Sequence, residues 1–219
     1  MKYALLLAAV TAAAHVARAQ DSTALGATDR ATAMRLQQIV DRARADGLPV
    51  QPIVAKVRYA SLVVHAPTPK VIAAAEAVAE RLALARQALA PRASDGEIDN
   101  AADALGLGVP VSALEALRAA SPNKPIAVPI GVLTQLVASR VPIAKATAIV
   151  KDLIKRGASD EQLVALGNNV NEDVALGRKP DAAAEIRANG LIPLLAPSGA
   201  NANAAAAGPT SASPVPRKP

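Results

Sequence analysis

Apolar residues recur at every third or fourth position through most of the chain, the spacing of one buried face on an α-helix. The clearest run is Val71, Ala75, Val78, Leu82, Ala85 and Leu89, which leaves Lys70, Glu76, Glu80 and Arg86 to other faces. Ile53, Val57, Ala60 and Val64 form a second stripe, and Ile143, Ala146, Val150 and Leu153 a third. A weaker fourth, Leu163, Leu166, Val170 and Val174, is interrupted by Gly167 and by Asn168-Asn169. No alternating β pattern is sustained anywhere. The pattern predicts an all-α chain.

Stop and start signals sharpen the boundaries. Gly47-Leu48-Pro49, Gly108-Val109-Pro110 and Gly157-Ala158-Ser159 each read as a helix stop, an apolar clip and a new start. Ser94-Asp95-Gly96-Glu97 and Ser159-Asp160-Glu161-Gln162 are capping boxes, and Thr68-Pro69 reads as a cap followed by proline. These signals predict helices near 29–46, 50–65, 69–89, 95–106, 110–120, 126–139, 142–156 and 160–176, with a short piece at 181–188. A faint repeat at an offset of 32 maps Ile98, Leu105, Val109, Pro110 and Val111 onto Ile130, Val137, Val141, Pro142 and Ile143. A period of that length suits stacked helix pairs. The aromatic signature of tetratricopeptide arrays is missing, and helix 69–89 is too long for the period. The expected fold is therefore an irregular array of antiparallel helical hairpins, either short α-solenoid-like or a compact bundle, with a disordered C-terminal tail.

The segment running from Ala45-Asp46-Gly47-Leu48-Pro49-Val50 to Ala55-Lys56 resembles the helix junctions of uncharacterised exported bacterial helical proteins. Weaker echoes stand at 108–111 and 140–143. The resemblance implies an all-α exported protein and brings no known function and no catalytic residue.

Both ends depart from the helical pattern. Lys2, the apolar run from Ala4 to Ala14 and Ala17-Arg18-Ala19 together describe a secretory signal peptide over 1–19, cleaved between Ala19 and Gln20. That places the mature chain in the periplasm or outside the cell. Residues 20–28 then form a flexible N-terminal segment and 29–189 the helical domain. Residues 190–219 are rich in Ala, Pro, Ser and Asn and carry few large apolar side chains, so they cannot offset their ordering entropy and are expected to be disordered. Leu191, Ile192, Leu194 and Leu195 are expected to hold the start of this tail to the body. No apolar run after residue 19 approaches the ~20 residues of a membrane-spanning helix.

Composition narrows the chemistry. Cysteine is absent, which excludes a disulfide scaffold and leaves noncovalent packing to hold the domain. There is no Phe or Trp, and only Tyr59 remains once Tyr3 leaves with the signal. Aromatic stacking platforms for single-stranded nucleic acid, flat sugar-binding faces and aromatic membrane girdles all need more than one ring. Lys2 and Arg18 also leave with the signal, which takes the net charge from +6 to +4. That is mildly basic, and no nucleic-acid partner is expected.

No catalytic constellation emerges. His65, the one mature histidine, falls at a helix end, where a cationic ring suits the C-terminal dipole. Asp95, Glu97, Asp99 and Asp103 fail as a calcium loop, with Asn100 where glycine is required and Gly106 where the last glutamate belongs. No G-x-S-x-G elbow and no phosphate-binding glycine loop occurs. No catalytic residue, cofactor or metal is assigned. Arg140, Lys145, Lys151, Lys155 and Arg156 make 142–156 the most basic element and the candidate surface for an anionic partner. The function expected is a non-catalytic binding or scaffold protein with a protein or envelope component as partner. One alternative is an envelope-associated protein holding an anionic polymer or lipid through 142–156 and the tail. Another is a carboxylate-dependent hydrolase drawing on acids in 95–103 or 160–173.

Overall fold

The computed structural model describes residues 29–195. The expected signal peptide with its Ala19–Gln20 junction, the segment 20–28 and the tail from residue 196 onward lie outside the described residues. Among those described, nine α-helices and no strand are present. They are α1 (Arg30–Ala45), α2 (Gln51–Arg58), α3 (Thr68–Ala88), α4 (Asp95–Gly106), α5 (Val111–Ala120), α6 (Ala127–Ala138), α7 (Ile143–Lys155), α8 (Asp160–Ala175) and α9 (Pro180–Leu191). A π-helical turn, Tyr59–Val63, continues α2, and a 3₁₀ turn, Ile192–Leu195, comes directly after α9.

Both capping boxes form. Ser94 and Ser159 accept from the Glu97 and Gln162 backbone N–H groups at 3.3 Å, and each partner side chain accepts the serine's own N–H at 2.8 Å. The Asp29 carboxylate caps α1 by accepting the Thr32 N–H at 2.8 Å. Thr68 departs from expectation: it is the first helical residue of α3, after Pro67, and makes no side-chain cap.

One stop motif recurs through the chain. At Gly47, Gly108, Gly157 and Gly177 the backbone turns left-handed, and the next residue's N–H closes on a carbonyl five residues back, as Leu48 does on Ala43 at 2.8 Å. A Cβ at Gly47 would meet only the far end of the Arg86 side chain, which can swing aside, so the left-handed backbone is what calls for glycine there. The same closure ends α6, where Val141 bonds the Leu136 carbonyl at 3.0 Å, but there the left-handed residue is Arg140, with φ 65°.

Two rows of helices result. The odd-numbered helices α1, α3, α5, α7 and α9 pack each on the next, and α4, α6 and α8 form the second row, with α2 against α3. The offset of 32 corresponds to this layering: α4 and α5 start at 95 and 111, α6 and α7 at 127 and 143. Leu82, Leu114, Leu117, Leu133, Leu136 and Leu153 are fully buried between the rows. Alanines such as Ala75, Ala85, Ala101 and Ala146, all 0% exposed, let the helices approach closely. Gly167, the gap in the fourth stripe, is buried under the Gln135 side chain, so the break in the pattern is a close contact between α8 and α6.

At the C-terminal end the helical body reaches Leu195, beyond the boundary of 189 expected from composition. Leu191, Ile192 and Leu195 pack against the core, whereas Leu194 is exposed. Every buried apolar side chain among the described residues lies between Leu36 and Ala188, so a chain starting at Gln20 retains all of them.

Candidate functional site

Buried charge comes first, because it is costly unless paired. Glu97 is 4% exposed at the start of α4. One of its oxygens accepts from the Ser94 N–H and hydroxyl; the other accepts from the Ile126 N–H at 2.8 Å and the Arg118 guanidinium at 2.7 Å. Burial alone would raise this carboxyl, but the donors from Ser94, Ile126 and Arg118 outweigh it and hold it below the usual glutamate value. Arg118 also donates to the Lys124 carbonyl at 3.2 Å. The group therefore pins the 121–126 loop and the start of α6 to α4. Its lone pairs are spent.

Asp173, 5% exposed, is the other buried acid. Arg187 of α9 holds it with two hydrogen bonds of 2.8 Å, and Arg178 lies 3.6 Å away. The Arg187 hydrogen bond lowers the carboxyl below the usual aspartate value, more than burial raises it. Asp99 moves the other way, raised by partial burial and then by Asp103 one turn on. Among the described residues, no group of three or more His, Asp or Glu side chains is placed to share a metal ion.

The basic helix is divided by its neighbours. Lys145 pairs with Glu185 of α9 at 3.0 Å, and Arg156 with Asp152 at 2.6 Å. Arg140 sits in the left-handed turn before α7. At about 100° per residue Lys145, Lys151, Lys155 and Arg156 fall within an arc of about 140°, opposite the buried Ala146, Val150 and Leu153. Two of these cations, Lys145 and Arg156, are engaged by acids.

The end of α2 carries a surface that the stripe pattern misses. The π turn inserts extra length into the helix and rotates the residues after it. Ala60 stays buried, but Val64, the expected next member of its stripe, is 55% exposed. Tyr59, Leu62 and Val63 are 53%, 56% and 64% exposed. Leu62, Val63 and Val64 are consecutive and span about 200° of the helix circumference, so the outward half of the helix end is aliphatic while Ala60 holds its other side to the core. His65 closes the segment in a left-handed conformation, φ 54°, with its ring Nδ1 3.2 Å from the Val63 carbonyl.

The segment that carries these residues has charges of one sign. From Gly47 to Ala75 there is no Asp or Glu, whereas Lys56, Arg58 and Lys70 are present and exposed. Lys56 Nζ lies 5.8 Å from the Tyr59 ring centroid, within cation–π range. Among the described residues none of the three is in an ion pair. The sequence does hold a signal for this surface: three successive apolar residues at a helix end cannot all face one core.

A cavity of about 300 Å³ between α1 and α3 is lined by Arg35, Arg42, Asp46, Glu76 and Glu80 over Ile39 and Leu48. Its charges are of both signs, and Arg35 is closed on Glu76 at 2.6 Å. No helix among the described residues is long and apolar enough to cross a membrane. In comparison with known proteins, the chain matches no protein-family model, no curated protein and no solved structure.

Proposed function

We propose that the protein is an exported, non-catalytic binding protein of the cell envelope, and that it engages its partner through the exposed aliphatic end of α2. The observation behind this reading is the coincidence of Tyr59, Leu62, Val63 and Val64, all more than half exposed, with Lys56, Arg58 and Lys70 in a segment, Gly47 to Ala75, that carries no acid. Isolated surface leucines are ordinary; a run of them at a helix tip marks an interaction site. Export rests on the signal pattern at 1–19, and a non-catalytic role on the engagement of the buried acids. Glu97 and Asp173, which a carboxylate hydrolase would draw on, are each neutralised by an arginine.

The test is fractionation of cells expressing the full chain or its Leu62→Ser/Val63→Ser/Val64→Ser variant. The parent chain should stay with the envelope and the triple variant should move to the soluble fraction. Equal retention of the two would remove the reading. Release on Lys151→Gln/Lys155→Gln or on deletion of 196–219, with the α2 variant retained, would favour the α7 and tail surface instead.

A further inference from the structure

We infer that the end of α2 docks the protein on an anionic phospholipid bilayer, with Leu62, Val63 and Val64 entering the interface and Lys56, Arg58 and Lys70 meeting lipid phosphates. The inference rests on the proposed binding role of this surface and names its partner.

Charge decides among the occupants. A second copy meeting this surface symmetrically would set Lys56, Arg58 and Lys70 against the same three cations, with no acid between Gly47 and Ala75 to offset them. An anionic partner removes that repulsion. Shape then favours a bilayer over a folded acidic protein. Leu62, Val63 and Val64, at 56%, 64% and 55% exposure, stand uncovered side by side on the last turn of the helix. A tip of aliphatic side chains needs a matching pocket on a rigid partner, whereas a fluid interface accepts it without one.

The side chains also match the depth profile of an interface. Aliphatic groups at the tip reach the acyl boundary, and lysine and arginine stems extend their charges back to the headgroups. Tyr59, whose ring has an apolar body and a polar end, lies one turn behind the tip. The scarcity of aromatics argues against a girdle of rings around a membrane-spanning body. It does not bear on a small basic and aliphatic tip, and the single tyrosine expected in the mature chain is placed there.

The experiment is co-sedimentation of the chain from Gln20 with phosphatidylcholine vesicles, with and without phosphatidylglycerol. Binding should require phosphatidylglycerol and weaken as salt rises. Each of Lys56→Gln, Arg58→Gln and Lys70→Gln should lower it about fivefold. Leu62→Ser/Val63→Ser/Val64→Ser should abolish it with the cations intact, while circular dichroism stays helical. Tyr59, the one tyrosine of that chain, should be quenched by brominated lipid. Equal binding to both vesicle types, or full binding by the triple serine variant, overturns the inference. So does capture of soluble polyglutamate without vesicle binding. If vesicles fail while the α2 tip still governs envelope retention, the lipid is wrong and the binding role stands; if the tip governs neither, both fall.

Discussion

At the start of α4 a carboxylate is buried, and at the end of α2 a run of aliphatic side chains is exposed. Each reverses the ordinary placement of its residue type, but only one is resolved within the molecule. Glu97 meets Ser94, Arg118 and Ile126, so each of its oxygens has donors inside the fold. Leu62, Val63 and Val64 have no such partners, and their exposure remains. A polar anomaly that the fold satisfies is architecture. An apolar anomaly that it leaves open is what the proposed binding role rests on.

Removing the Glu97 carboxylate should break this contrast most severely. Glu97→Ala strands the Arg118 charge and the Ile126 N–H, and should cost about 3–5 kcal/mol in denaturant unfolding. Gln162→Ala, at the matching position of the other capping box, should cost about 1 kcal/mol. Similar losses at the two sites would show that Glu97 is only a cap.

Acid should weaken the same architecture. Glu97 and Asp173 have lowered values in the folded chain, as do the exposed Asp29 and Glu161. A lowered carboxyl contributes stability that is fully present above its unfolded value and is lost as pH falls through its folded one. Tm should thus hold from neutral pH down to about 4.5 and drop below it. Asp99, raised by burial and Asp103, has the opposite sign, so Asp99→Asn should raise Tm near neutral pH. A Tm that climbs on acidification below the carboxylate range would contradict the assignment.

Arg140→Gly should stabilise by about 0.5–1 kcal/mol, since it relieves a left-handed arginine at a cost in unfolded-chain entropy. No gain in the unfolding midpoint would mean that Arg140 has a compensating role. The smallest effect belongs to the α2 tip: Leu62→Ser, Val63→Ser and Val64→Ser should each change stability by no more than about 0.5 kcal/mol. A large loss at any of them would make the tip part of the core and erase the contrast.

Much of the fold is legible in the chain itself. Stripe spacing, glycine stops and serine caps place each helix within a few residues, because these signals act over one or two turns. Val64 is where that reading fails, as an α-helical period carried through Tyr59–Val63 assigns it to the core. The basic surface on α7 shows a different limit. Lys145 looks free along its own helix, and its partner Glu185 is 40 residues away. The capping box likewise accounts for Glu97 locally, but Arg118 and Ile126 lie 21 and 29 residues further on.

The sequence by itself determined that the chain is helical, where the helices start and stop, and which apolar stripes face inward. Those are outcomes of local backbone bonding and of side-chain periodicity, both carried by neighbours in the chain. Only the tertiary structure decided which charges cancel, that Glu97 is buried, and that the end of α2 leaves its aliphatic residues uncovered. Pairing and exposure depend on which distant helix is packed alongside, and no period within a single helix contains that information.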